Sequence, residues 1–303
     1  MELMNTRMLG RCSGLARFMD LVLMGAIIWH KPAEAVRTVF VSTQLKHRMI
    51  VQFMQLLPTL PGPITLVIAG GDYTFPNSTD RRMPQRARIT WMMKGVVFHP
   101  KISRVYVENL DQALPKTVPI PLGINPEECP PSLAYFLPYV KLDPTKPCLV
   151  SNFNRIRDGP HFWQFNERRY VDMLCRTHWP NLTVSRQTTS HVEFLKEMGR
   201  YMFTLCVHGG GLDVNPKCWE ALLIGVIPII RENRPYTDLY LDLPVVIVPT
   251  WDERTLSREN LLSWKAKYAQ FLDPATRHTM LERLTLRYWV NYIKTSQGTP
   301  VCN

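Results

Sequence analysis

A chain of 303 residues with 46% hydrophobic side chains can fill one large domain or two ordinary ones, and its composition is that of a globular protein. Its formal charge of +11 would suit nucleic acid, a membrane surface or a phosphorylated small ligand, but the lysines and arginines are scattered and select none of these. Seven cysteines without a CxxC pair argue against a thiolate zinc site or a redox dithiol and for reduced thiols in a cytosol-like, cytoplasmic setting. The sequons at Asn77 and Asn181 pull the other way but weigh little without an entry signal.

In chain order, "LVLMGAIIW" (21–29) is too short to cross a bilayer and is expected to be a core or surface-docking helix. A peripheral membrane contact helped by Arg7, Arg11 and Arg17 is the sharper alternative. From residue 38 the pattern reads strand "TVFVSTQ", helix "HRMIVQFMQLL", then strand "ITLVIAGG" running into the polar loop "DYTFPNSTD". "RVYVENL" (104–110) and "VPIPLGI" (118–124) add two more strands, and parallel pairing is the natural arrangement. The proline-rich stretch that follows, with "NPEECPPS" and "LDPTKP", breaks all periodicity and is the candidate linker. The rhythm restarts with strand "CLVSNF", helix "ERRYVDMLCRTH", strand "NLTVS", helix "HVEFLKEMGRY" and strand "FTLCV". A single closing helix is expected over 276–293, packing back across the first half.

The most informative stretch is "VHGGGLDVNPKCWEALLIGVIPII" (207–230): a glycine loop, a helix start and a buried strand. Asn215-Pro216 is a strong helix start and Gly225 a stop. Gly209, Gly210 and Gly211 permit close backbone approach to an anion at the positive helix end, and Lys217 would add a full charge. Glu220, three residues on, cannot hold phosphate but can accept both vicinal hydroxyls of a ribose. Together they suggest a nucleotide diphosphate. The plainer alternative, a tight turn and a carboxylate complementing the helix dipole, has equal standing on spacing alone. "HGGG" is also the oxyanion loop of lipase-like hydrolases, but no G-x-S-x-G nucleophile elbow occurs in the chain.

The run 203–248, and "WEALLIGVIPII" in particular, resembles the C-terminal part of exostosin-like glycosyltransferases, glycosyltransferase family 47. It resembles less closely the small glycosyltransferases encoded by large viruses of green algae. Two departures stand out: Lys217 replaces the usual arginine, and the loop is richer in glycine. The resemblance implies an α/β GT-B fold, two Rossmann-like domains across a cleft. On this chain they would be an acceptor domain (1–125), a linker (126–147), a nucleotide-sugar donor domain (148–275) and a closing helix and tail (276–303). It also implies inverting transfer of a sugar from a nucleotide diphosphate, with a UDP-sugar expected and UDP-xylose the first to test, onto a glycan hydroxyl.

Ligands of open α/β sheets bind beyond the carboxyl ends of the strands, which adds Asn154, Arg155 and Arg157 after "CLVSNF" and, more weakly, Arg186 after "NLTVS". Their arginines could neutralise a departing diphosphate or be ordinary solvated turns. Inversion needs a base facing the donor, and Asp72, directly after a buried strand and two glycines, is the choice. His208 is the runner-up, and His99 and Glu108 have less positional support. No D-x-D triplet occurs, so no metal and no other cofactor is expected. The rival readings are a non-catalytic nucleotide or glycan binder of the same fold, and a basic nucleic-acid binder, for which no module signature exists.

Overall fold

The computed structural model describes residues 1–6, 14–44, 48–77, 86–156, 165–188, 190–212 and 215–295. Its strands form two sheets. The first contains β1 (Leu21–Leu23), β2 (Ile27–Trp29), β3 (Thr38–Ser42), β4 (Ile64–Ala69), β5 (Ile102–Val107) and β6 (Thr117–Pro119), in the order β2-β1-β3-β4-β5-β6. All neighbours are parallel except β1 and β2. β3 and β4 are buried at every residue, which explains why they read as unbroken apolar runs. Helices α1 (Arg48–Leu56) and α2 (Arg86–Phe98) cross over between β3, β4 and β5.

The second sheet holds β7 (Val150–Asn152), β8 (Thr183–Ser185), β9 (Phe203–Leu205), β10 (Ile227–Arg231) and β11 (Val246–Val248), all parallel in the order β11-β10-β9-β7-β8. Helices α4 (Phe165–Thr177), α5 (His191–Met198) and α6 (Lys217–Ile224) connect its strands. Between the sheets, the proline-rich segment carries a short helix, α3 (Leu133–Phe136). After them come α7 (Arg258–Lys267), α8 (Pro274–Arg283) and α9 (Leu286–Thr295).

The expected closing helix is therefore two helices, and it does return to the first sheet: Tyr292 of α9 meets Tyr106 of β5 edge to face with ring centroids 6.0 Å apart. At the α8–α9 junction, the amides of Met4 and Leu286 donate to Leu284 O and Glu2 O, so the first residues of the chain are stitched to its last helices. Two Rossmann-like α/β units and a returning C-terminal helix make the GT-B architecture.

The helix expected over 21–29 is instead a hairpin, β1 paired antiparallel with β2. Gly25 adopts a φ of 92° in its turn, a left-handed conformation open to glycine, and the β-branched pair Ile27-Ile28 suits the edge strand. Helices α2 and α7 gave no recognised signal in the sequence. Five cysteines among the described residues, Cys129, Cys148, Cys175, Cys206 and Cys218, are free thiols. No helix among the described residues is long and apolar enough to cross a membrane.

Candidate active site

In the second sheet, β8 lies on one side of β7 while β9, β10 and β11 follow on the other, so the strand order reverses between β7 and β9. The carboxyl ends flanking such a reversal are where open α/β sheets bind ligands. Here β7 leads into Asn154 and β9 into the glycine loop. Asn154 Nδ2 donates to Asn152 Oδ1 at 2.8 Å and to Leu205 O at 3.2 Å, tying the two strand ends together. Its Oδ1 accepts from Lys217 Nζ at 2.6 Å, so two of the expected residues meet directly.

Asn215 caps α6 as expected: its Oδ1 accepts the Lys217 amide at 3.1 Å, and its Nδ2 donates to Val207 O at 2.7 Å. The next three amides, of Cys218, Trp219 and Glu220, donate to the carbonyls of Asn215 and Pro216. The first-turn amides are therefore satisfied within the protein. The positive character of the site comes from side chains and from the helix dipole.

One of those side chains was not foreseen. Arg168, in the first turn of α4, donates through Nε to His208 O at 2.9 Å and through Nη1 to Arg155 O at 2.8 Å. Its Nη2 lies 3.1 Å from where a Cβ on Gly209 would sit. Burial holds the Lys217 ammonium below its ordinary pKa, and the like charge of Arg168 adds to this, leaving it at about 8. Arg168 thus meets the glycine loop, while Lys217 lies buried against Asn154, near enough to Arg168 for the two like charges to act on each other. Of the arginines expected there, Arg155 is exposed and contributes its carbonyl, while Arg157 lies outside the described residues. Arg186 does not join the site either, because its guanidinium pairs with Glu197 of α5 at 3.0 Å.

The glycine loop also reaches the first sheet. A Cβ at Gly210 would collide with the Asp72 carboxylate, and one at Gly211 with the Asn109 side chain. Asn109 Oδ1 accepts the Leu212 amide at 2.8 Å while its Nδ2 donates to Gly71 O at 2.8 Å. Asp72 follows β4 and Asn109 follows β5, so the carboxyl ends of the two sheets face each other here. Of the lesser base candidates, Glu108 is buried and accepts from the Gly70 amide and Thr6 Oγ1. His99 precedes β5, at the opposite edge of the sheet.

His208 is buried beside Glu167, its Nδ1 3.4 Å from Oε2, within ion-pair range but not aligned for a hydrogen bond. Glu167 also accepts from Arg231 Nε and Trp251 Nε1, each at 2.7 Å. Burial raises the Glu167 carboxyl, but His208 and Arg231 more than offset it, leaving its pKa at about 2. Glu220 is buried, and its Oε1 accepts from His191 Nε2 at 3.1 Å.

No protein-family model matches the chain, and no curated protein matches its sequence. Among solved structures, it is similar to HepE of Anabaena in complex with UDP, at 13% identity and a TM-score of 0.49 over 86% of this chain and 78% of that one. Sucrose-phosphate synthase of Thermosynechococcus elongatus gives the same identity and score over 86% and 72%. A glycosyltransferase of Rickettsia africae gives 12% and 0.45 over 86% and 76%. With TM-scores under 0.5, these likenesses carry no argument about chemistry.

Proposed function

We propose that the chain is a glycosyltransferase that moves a sugar from a nucleoside diphosphate donor to an acceptor hydroxyl. The observation that carries this reading is Arg168 against the glycine loop at the reversal of strand order, with buried Lys217 close enough to feel its charge and Asp72, after β4 of the other sheet, against the same loop. Two cations that raise each other's electrostatic cost are best relieved by an anion placed between them. A carboxylate from the facing sheet supplies a base for the acceptor hydroxyl.

In this reading the diphosphate lies along Gly209 to Gly211, neutralised by Lys217, Arg168 and the positive end of α6. Glu220 accepts the ribose hydroxyls. Asp72 takes the acceptor proton as the hydroxyl attacks the anomeric carbon from the face opposite the leaving diphosphate, which inverts that carbon. Residues 1–125 form the acceptor domain and 148–275 the donor domain, joined by 126–147. A UDP-sugar is the donor we favour, with UDP-xylose tested first, and side-chain cations take the place of a divalent metal.

The test is turnover with a panel of UDP-sugars and glycan acceptors. Asp72→Asn should lower kcat by about two to four orders of magnitude while leaving UDP affinity within about threefold. Full activity in that variant would remove Asp72 as the base. UDP binding without turnover on any donor would favour a non-catalytic binder.

A further inference from the structure

The segment joining the two sheets reads in the sequence as a linker, yet one of its side chains reaches the donor side of the molecule. Tyr135, in α3, places its hydroxyl 3.0 Å from His191 Nδ1, and the two rings stack with centroids 5.8 Å apart at an interplanar angle of 19°. His191 opens α5 behind its capping residue Ser190, and its Nε2 lies 3.1 Å from Glu220 Oε1. A carboxylate can only accept, so Nε2 carries the hydrogen, and in the neutral ring Nδ1 accepts from the Tyr135 hydroxyl. The side chains of His191 and Glu220 are only 16% and 3% exposed, so water competes little for these bonds.

We propose that Tyr135 and His191 are positioning residues of the donor site: they fix the Glu220 carboxylate, through the oxygen facing α5, so that its other lone pairs meet the vicinal hydroxyls of the donor's ribose. The inference rests on the role given to Glu220 above. A glutamate free to rotate must lose its rotamer freedom on binding, at a cost of about 1–2 kcal/mol, and a chain of hydrogen bonds ending in a stacked tyrosine removes that cost in advance. The same chain makes the inter-sheet segment part of the site.

The cluster admits one rival. Cys129 Sγ lies within 4.8 Å of the His191 and Glu220 ligand atoms, a set that could hold a metal ion. A zinc shell would need these atoms drawn in to roughly 3.5 Å of one another. Here the His191–Glu220 hydrogen bond is complete without an ion, and the Cys129 thiol points to Asn125 O at 3.8 Å.

The experiment compares UDP with 2′-deoxy-UDP by isothermal titration calorimetry. The unchanged protein should prefer UDP by about tenfold or more, the worth of one hydrogen bond to a charged group. His191→Phe should lose most of that preference while keeping its affinity for inorganic pyrophosphate. Tyr135→Phe should lose part of it, and His191→Gln, which retains an N–H donor, should restore it to within about threefold. If UDP binds and the phenylalanine variants keep the full preference, the positioning role is overturned while the donor reading stands. If UDP does not bind, both fall. Should His191→Phe fail to fold, the two milder variants decide. A rise in melting temperature with one equivalent of zinc, abolished in Cys129→Ser, would overturn the proposal in favour of a metal centre.

Discussion

Lys217 shows how a single buried group makes the site's chemistry depend on pH. Its ammonium, held at about 8 by burial and by Arg168, is still mostly charged at neutral pH and loses its proton through the next two units. In the proposed site only the charged form attracts the diphosphate, so binding above that pH would take up a proton. UDP affinity should fall as pH rises through about 8, by up to about tenfold per unit, and Lys217→Met should flatten the profile. Titration calorimetry between pH 6 and about 10 would check this, and an unchanged slope in the variant would assign the proton elsewhere. Glu167 works in the opposite sense. Its folded-state pKa of about 2 lies below the ordinary value of 4.5, so it contributes stability above that ordinary value and loses it as pH falls toward 2. Glu167→Gln should therefore destabilise the protein by about 2 kcal/mol at pH 7 and by progressively less between about pH 4 and 2 in urea unfolding.

Among the elements, α6 is the one on which the site depends, and both of its ends are fixed by side chains from far away in sequence. At its carboxyl end Arg277 Nη2 donates to Leu222 O and Leu223 O, and Lys146 Nζ to Gly225 O, placing two cations at the negative pole of a helix whose other pole faces the glycine loop. Gly225 ends the helix with a φ of 83°, and a Cβ there would come within 2.6 Å of Lys141 O. Gly225→Ala should cost about 3 kcal/mol, from left-handed strain plus the clash, and lower the melting temperature accordingly. A variant as stable as the parent would show that the turn can rebuild. The start and stop of α6 could be read locally because Asn-Pro and glycine act through backbone geometry. The 21–29 segment could not: its apolar residues fit either period, and pairing with β3 decided the matter. Arg168, Asn109, His191 and Tyr135 carry no local signature, since each acquires its role from a partner 29 or more residues away.

In the whole molecule, the repeated βα rhythm was enough to foresee two parallel α/β units, because strands buried on both faces advertise themselves as apolar runs. What the rhythm could not supply is which loop ends meet. That follows from the way residues 2–6, the inter-sheet segment and α8–α9 hold the units so that Asp72 and Asn109 touch the glycine loop. In the same geometry Arg168 meets the glycine loop, Arg155 lends it a carbonyl, and Arg186 pairs with Glu197. We propose that side-chain cations at this junction hold a nucleoside diphosphate without a metal. The most direct test is isothermal titration of the purified protein with UDP and with uridine, both in excess EDTA. We predict that UDP binds at least about a hundredfold more tightly than uridine, the worth of two charged contacts, and that Lys217→Met removes most of the difference. Equal affinity for UDP and uridine, or UDP binding that appears only when manganese replaces EDTA, would show that these cations do not hold the diphosphate.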